Sequence, residues 1–411
     1  MTTEQSKAAS KEAAARSSKA RPLDIRLVAM LSVLGCIWAA FGIATDGIFL
    51  TPRNLYNLSL QVSVVGIMAA GMVLVIVGRQ IDLSVGSQLG FIGVAGALIQ
   101  TQALPVDGAN TWWLAIVAML VIGTAIGALN GFLVAYVGIP AFVVSLGGLM
   151  FFRNAAYMLN EGRTISPLNE TFRLFGGGLD GSIGATWSLI LGLIACLVVL
   201  FALLRNRKRR AFFGFENPPM RVTLSIALAW WVAIAGFVWV MISYELPRTK
   251  EPAGIAIPVL CLIAVGIGMS AIARMHTFGR HVFSYGGSPE STSLAGIDTR
   301  RTILMLFVVM GLLAGLASVV VTARLNAGAS VTGTMMELNV IAAAVIGGTS
   351  LSGGVGTIVG GLIGALIMQS LESGMILLGV PTPLQRMILA SILILAVWID
   401  MVYRRRVRSN D

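Results

Sequence analysis

Charged residues are scarce in this chain. Only 11% of its 411 residues are Asp, Glu, Lys or Arg, and 56% are hydrophobic, whereas ordinary soluble domains have about 25% charged and about 45–50% apolar residues. A water-soluble fold of this size has no core large enough for so much apolar side chain, but lipid solvates the excess. The composition therefore excludes a soluble globular protein and favours an integral membrane protein.

Residue types that bind metals are also few. The three cysteines each lie inside an apolar stretch, and their spacing fits neither a metal site nor a disulfide framework. Only two histidines, His276 and His281, are present. We therefore expect no metal site and no catalytic residue in this chain.

The net charge of +11 is distributed as in membrane proteins. The basic residues form short runs between or beyond apolar stretches, most densely at 205–210 and 404–408. Such runs mark the cytoplasmic ends of membrane spans. This distribution argues against nucleic acid as a partner and makes membrane lipid the expected surroundings.

Apolar runs of the length needed to cross a bilayer, about 20 residues, recur along the chain. They predict an all-α, polytopic transmembrane helical bundle of about 12 spans, with 10–12 as the range because the tenth and eleventh are rich in glycine. The predicted spans cover residues 27–44, 58–78, 86–104, 112–137, 140–159, 186–204, 222–243, 254–275, 302–323, 333–349, 353–376 and 384–403.

The basic loops predict one orientation. If the N-terminal tail is cytoplasmic, alternation of the spans places the loops near 205–221 and 276–301 on the same side as both termini, and these four segments together hold most of the basic residues. Both termini are then cytoplasmic. The predicted division is a cytoplasmic tail at 1–26, one transmembrane domain at 27–403 and a basic cytoplasmic C-terminus at 404–411.

Two glycine-rich segments resemble each other. Gly78-Arg-Gln-Ile-Asp-Leu-Ser-Val-Gly86 is similar to Gly347-Gly-Thr-Ser-Leu-Ser-Gly-Gly354 after a gap of one residue, and each precedes a glycine-rich helix that ends in glutamine, Gln100 or Gln369. This similarity suggests parallel repeats about an axis along the membrane normal. The predicted cytoplasmic turn residues are Asp82, Ser84, Gly86, Ser352 and Gly354.

The predicted cytoplasmic segment 276–301 contains the signature of a short helix. Ser288 is placed to be its N-cap, Pro289 its first residue and Glu290 a favourable charge near its N-terminus, and Gly296 ends it. A rigid helix between two spans would act as a lever for a cytoplasmic partner. From these residues alone an ordinary solvated loop is favoured over a lever.

Polar residues inside predicted spans mark solute pathways more often than chance. Amides and hydroxyls offer exchangeable hydrogen bonds to a sugar, and hydrogen bonding between helices is an equal alternative for each residue. The paucity of carboxylates argues against proton coupling, since Glu372 alone is a clear mid-membrane candidate. The candidates are Asn130, Asn154, Glu337, Asn339, Gln369, Glu372 and Ser373, with Arg153 beside them.

Several segments together resemble the permeases of bacterial sugar ABC transporters, which include the ribose, arabinose and xylose permeases. Residues 71–86 are similar to the "G-itggiDLSvGs" block of that family, and 138–147, 279–297 and 337–374 match further blocks. The extra length between about 160 and 253 holds two additional apolar spans. This added pair resembles the xylose permease branch.

The resemblance implies a transport subunit of the bacterial inner membrane that translocates a monosaccharide, D-xylose or another pentose. It implies a homodimer, a periplasmic sugar-binding protein and a separate cytoplasmic ABC ATPase that binds the ATP, since no GxxxxGK[ST] phosphate loop occurs here. The ATPase would dock on Gly279, Arg280, Gly286, Glu290, Ala295 and Gly296. The alternatives are a secondary sugar carrier driven by an ion gradient and a membrane scaffold without transport activity.

Overall fold

The computed structural model describes residues 25–178, 181–215, 217–247 and 250–408. All regular secondary structure in these ranges is helical. The predicted tail at 1–26 lies outside the described residues except for its last two. The main helices are α1 (Ile25–Ala44), α2 (Pro52–Val77), α3 (Val85–Leu98), α4 (Thr111–Phe132), α5 (Ala141–Asn160), α6 (Glu170–Arg173), α7 (Gly184–Phe212), α8 (Met220–Ile242), α9 (Ile257–Met275), α10 (Thr277–Gly287), α11 (Pro289–Leu294), α12 (Thr299–Leu325), α13 (Met336–Ile346), α14 (Ile358–Leu377) and α15 (Thr382–Arg408).

Nine helices of the described ranges are long and apolar enough to cross a membrane, and each corresponds to a predicted span. The other three predicted spans are helical but shorter or interrupted. Helix α3 continues as a π-helix at Ile99–Ala103, α13 has 11 residues, and the apolar part of α15 is Thr382–Trp398. The all-α membrane bundle is therefore confirmed, and the count of twelve spans stays a prediction.

Helix α2 forms the centre of the bundle. It begins with Pro52 in its first turn, and from Val62 to Val77 every residue is buried. A helix that is apolar all round is stable only when neighbours cover every face, and α9, α12, α13 and α14 pack around this one.

Glycines set the closest helix contacts. A Cβ atom on Gly123 of α4 would lie 3.1 Å from the Cα atom of Gly315 of α12, and one on Gly127 would lie 3.1 Å from that of Gly311. In membranes, small residues let backbones approach and gain van der Waals contact. Gly123 and Gly127, spaced four residues apart, thus form a packing seam between α4 and α12.

Helices α7 and α8, which account for most of the extra length, form a hairpin at the edge of the bundle. Of the residues in α7 only Ser188 is buried. Its side-chain oxygen accepts a hydrogen bond of 2.8 Å from the amide of Ile255, which fixes the hairpin base. Trp231 donates from Nε1 to the carbonyl oxygen of Cys196 (3.0 Å) and joins the two helices.

Candidate functional site

The two similar segments fold into the same local structure. Arg79 and Gly348 both have left-handed backbones, with φ of 56° and 84°, and each amide donates to the carbonyl three residues earlier at 2.9 Å. The next amides, of Gln80 and Thr349, each donate a hydrogen bond of 3.0 Å to the carbonyl oxygen five residues earlier. These paired bonds are one way in which a helix C-terminus satisfies its last carbonyl groups. The internal similarity therefore corresponds to two equivalent helix ends, of α2 and α13.

The turns after these ends also agree. The carboxylate of Asp82 accepts a hydrogen bond of 2.9 Å from the amide of Ser84, and the hydroxyl of Ser350 accepts one of 3.1 Å from the amide of Ser352. Both are side-chain turns spanning two residues. Asp82 and Ser84 are buried, whereas Ser352 is exposed. The predicted repeat of whole halves of the chain stays a prediction.

A buried polar cluster surrounds the first turn. The hydroxyl of Ser84 donates to Asp82 (2.5 Å) and accepts from the amide groups of Gln88 (2.6 Å) and Asn130 (3.3 Å). Asn130, one of the predicted pathway residues, thus bonds α4 to the start of α3. The Oε1 atom of Gln88 is buried without a partner among the described residues.

The two turns meet the predicted cytoplasmic segment. A Cβ atom on Gly286 would collide with the carbonyl oxygen of Val77 and lie 2.5 Å from the amide nitrogen of Gly354. Arg79 donates to the carbonyl oxygens of Gly286 (2.8 Å) and Gly287 (2.9 Å). The ends of α2 and α10 and the turn before α14 therefore form one junction, which we call the glycine junction (residues 77–79, 286–287 and 353–354).

The predicted cytoplasmic segment, 276–301, contains more helix than the sequence indicated. The short helix capped by Ser288 is confirmed as α11: the Ser288 hydroxyl accepts from the amide of Ser291 (3.3 Å), and Gly296 beyond it has φ of 78°. Residues 277–287, expected as loop, form α10. The segment therefore contains two consecutive helices rather than a loop with one short helix.

Part of this segment is buried and part is free. Gly279 packs against α9, where a Cβ atom would lie 2.5 Å from the carbonyl oxygen of Ala273. Arg280, Glu290, Ala295 and Gly296 are exposed. The predicted docking residues therefore divide into glycines that hold the helices against the bundle and residues that are open to a partner.

Leu294 lies on the exposed side of this pair of helices, and Tyr285 lies on the side that packs on the bundle. Leu294 is 88% exposed on α11. Tyr285 is half-buried beside the glycine junction, where burial raises the pKa of its phenol and the Arg79 guanidinium acts in the opposite direction. Leu294 and Glu290 lie one helical turn apart on α11, and both are exposed. Leu294 was not singled out from the sequence, because a lone leucine at a helix end carries no signal.

A second polar region lies where α12 ends. The chain from 326 to 335 is not helical and runs back along α3: a Cβ atom on Gly328 would lie 3.0 Å from the carbonyl oxygen of Gly93, and one on Gly86 would lie 2.5 Å from that of Gly333. Gly86, Gly90 and Gly93 share one face of α3 and leave room for this backbone. We call residues 326–335 the unwound segment.

Arg153 of α5 binds the unwound segment. Its guanidinium donates to the carbonyl oxygens of Ser330, Thr332 and Gly333 (3.2 Å each) and to the hydroxyl of Thr334 (2.8 Å). Non-helical backbone at membrane depth persists only where protein or water satisfies its polar groups. Arg153 satisfies these polar groups, and its contacts could not be predicted from the sequence because the partners lie about 180 positions apart.

The remaining pathway candidates divide between these regions. Glu337 is buried at the start of α13, and its Oε2 atom has no hydrogen-bond partner among the described residues. Asn339 is half-buried, while Asn154 is exposed and bonds only the carbonyl of Met150 in its own helix (2.8 Å). Asn154 lies next to Arg153 in sequence, on the open side of α5.

Gln369, Glu372 and Ser373 share one face of α14, as predicted. Gln369 donates to the Glu372 carboxylate (2.9 Å), and the Ser373 hydroxyl bonds the side-chain oxygen of Asn54 in α2 (3.2 Å). Ser373 therefore joins helices. Among the described residues no cluster of three metal-binding side chains occurs.

Comparison with known proteins identifies the family of this chain. The profile of the family described as "Branched-chain amino acid transport system / permease component" matches residues 54–397. The chain is 35% identical to the xylose transport system permease protein of Escherichia coli over 389 residues, which cover 94% of each chain. It is 37% identical to that of Haemophilus influenzae over 395 residues, 94% of this chain and 99% of the relative.

Permeases for other pentoses are also similar. The ribose import permease protein of Escherichia coli is 32% identical over 86% of this chain and 87% of its own. The L-arabinose permease of Azospirillum brasilense is 31% identical over 88% and 83%. No solved structure matches the chain. The chain is therefore a multi-pass inner-membrane protein that belongs to the bacterial sugar ABC transporter permease family.

Proposed function

We propose that this chain is the permease subunit of an ABC importer that translocates a monosaccharide, with D-xylose as its substrate. The observation that carries the proposal is the similarity to xylose permeases over 94% of the chain. That similarity includes the α7–α8 region. The relatives are permeases of transport systems for xylose and ribose, which does not favour the alternative of a gradient-driven carrier.

The partners follow from the chemistry that the chain does not supply. ATP is hydrolysed by a separate cytoplasmic ATPase, and a periplasmic binding protein delivers the sugar. The exposed side chains of Glu290 and Leu294 on α11 are the proposed contact with the ATPase. A charge beside an apolar anchor provides both orientation and desolvated contact area.

The glycine junction would carry the ATPase movement into the bundle. Arg79 ties the carbonyl groups of Gly286 and Gly287 to the end of α2, and the amide of Gly354 bonds the carbonyl of Val77 (2.9 Å). A displacement of α10 and α11 therefore shifts both equivalent turns together. Because those turns precede α3 and α14, the movement reaches the helices that hold the polar candidates.

The sugar route is proposed to follow the open side of the unwound segment between two copies of the chain. Thr334 and Asn154 are exposed there, and Val331 is 75% exposed. Exposed amide and hydroxyl groups in acyl chains are costly, whereas beside a sugar they exchange hydrogen bonds. In a homodimer these faces would enclose a shared pathway, with Glu337 behind it as an acceptor.

The substrate is tested by uptake of radiolabelled sugars into cells that express the chain with its ATPase and binding protein. We expect xylose uptake to exceed ribose and arabinose uptake by at least about tenfold. Sites that form hydrogen bonds with the hydroxyl groups of their substrate readily reach this discrimination. A chain with Asn154→Leu should import less xylose, with Leu159→Ala on the same helix as the control. Equal uptake of all three sugars would refute xylose specificity without refuting sugar import.

A further inference from the structure

The tip of the α7–α8 hairpin is strongly basic. Between positions 205 and 221 the sequence contains six basic residues and one acidic residue, Glu216, which lies outside the described residues. Five of the basic residues end α7 and one begins α8. They are Arg205, Arg207, Lys208, Arg209, Arg210 and Arg221.

One of these cations holds the hairpin together, and the other five form no side-chain hydrogen bond or ion pair among the described residues. The guanidinium of Arg207 donates to the carbonyl oxygen of Pro218 (2.6 Å) and to the hydroxyl of Thr223 (3.1 Å), so it fastens α7 to α8. The other five side chains are exposed. Within the described ranges, no carboxylate lies within ion-pair distance of them. The hairpin is therefore held closed while most of its positive charge stays available.

Three aromatic rings accompany the cations. Phe212, Phe213 and Phe215 are 84%, 58% and 60% exposed, and the Arg209 guanidinium lies 5.9 Å from the ring centre of Phe213. Exposed phenylalanine side chains are unfavourable in water. Next to guanidinium groups they are typical of surfaces that lie in the membrane interface. There the rings enter the boundary of the acyl chains while the cations reach the phosphates.

The depth of the tip fits that arrangement. The apolar part of α7 ends at Leu204, and that of α8 begins at Val222. At 1.5 Å per residue the basic residues rise about 9 Å beyond this boundary, and each headgroup layer is about 5–8 Å thick. Because almost no residue of α7 is buried by the rest of the chain, most of its surface is available to lipid.

We propose that the hairpin tip, residues 205–215 and 217–221, is a binding site for the headgroup of an anionic phospholipid. The phosphate contacts come from Arg205, Lys208, Arg209 and Arg210, with Arg221 across the turn. Phe212, Phe213 and Phe215 anchor the acyl boundary. The bound lipid would fix the orientation of a hairpin that has little contact with the bundle.

The test uses the purified full-length chain and native mass spectrometry with phosphatidylglycerol or phosphatidylcholine as the added lipid. The unaltered chain should retain phosphatidylglycerol in preference to phosphatidylcholine, and the preference should fall as salt is raised. Arg209→Gln/Arg210→Gln should weaken phosphatidylglycerol binding about 30-fold at low salt, the effect of removing two interfacial cations.

A matched variant separates a site from general attraction. Arg300→Gln/Arg301→Gln removes two exposed arginines at the start of α12, and we expect it to change phosphatidylglycerol binding less than about threefold, because Asp298 already offsets their charge. Equal losses in both double variants, or equal retention of the two lipids by the unaltered chain, would overturn the proposal. Unchanged lipid binding by Arg209→Gln/Arg210→Gln with loss of the ATPase subunit on co-purification would also overturn it and assign the tip to a protein partner.

Discussion

Replacement of Arg153 tests how the unwound segment persists inside the bundle. Arg153→Met keeps an unbranched side chain of similar width but removes the guanidinium and its four hydrogen bonds, three of them to backbone carbonyl groups at 3.2 Å and one to a hydroxyl at 2.8 Å. Side-chain hydrogen bonds in membrane proteins contribute about 0.6 kcal/mol each on average, and a buried carbonyl left unsatisfied costs about 1–3 kcal/mol. We expect a loss of about 2–4 kcal/mol in the free energy of unfolding.

The measurement is the unfolding midpoint of the purified chain in detergent, followed by tryptophan fluorescence. Arg153→Lys should recover part of the loss, since an ammonium group keeps three donors but cannot span four acceptors. The control is Arg163→Met, because Arg163 is 82% exposed and forms only a surface ion pair of 3.6 Å with Glu161, a kind worth less than about 1 kcal/mol. If the Arg153→Met chain has the same unfolding midpoint as the Arg163→Met chain, the role given to Arg153 is refuted.

Four further predictions each concern one or two substitutions. Glu290→Lys and Gly296→Pro should leave membrane insertion intact and abolish ATP-dependent sugar uptake, since Glu290 is exposed and Gly296 has a left-handed backbone; normal uptake and normal ATPase binding in both would refute the α11 assignment. Arg79→Ala should lower the unfolding free energy by about 2 kcal/mol and reduce uptake, and unchanged uptake would exclude the glycine junction from coupling. Asp82→Ala should cost about 1–3 kcal/mol in the same unfolding assay and Asp82→Asn much less, because an amide oxygen still accepts from Ser84; equal losses would contradict the turn. Glu372→Gln should change uptake less than about twofold, because the amide can still bond Gln369, and loss of uptake would favour a proton-coupled carrier.

Local rules predicted the parts of the fold that local residues determine. Ser, Pro and Gly are preferred as the N-cap, the first residue and the terminator of a helix, and α11 forms between Ser288 and Gly296. The similarity of the 78–86 and 347–354 segments likewise predicted two equivalent turns, because the bonds from Ser84 to Asp82 and from Ser352 to Ser350 lie within each segment.

Contacts between distant positions explain what the sequence did not indicate. Residues 277–287 contain Gly279 and Gly286, which read as loop, yet both glycines are required where α10 approaches the backbone of α9 and α2. The unwound segment covers most of the predicted connection at 324–332 and the first three residues of the predicted span 333–349, and it is non-helical throughout because Arg153 and the glycine face of α3 stabilise it. Neither partner is near it in sequence.

The most direct test of the account is the energy source for sugar uptake. Cells that express the chain with its ATPase and binding protein would be given labelled xylose, either with ATP depleted at an intact membrane potential or with an ionophore at preserved ATP. The account predicts loss of uptake on ATP depletion and persistence with the ionophore. Persistence without ATP and loss with the ionophore would contradict it and indicate a carrier driven by an ion gradient.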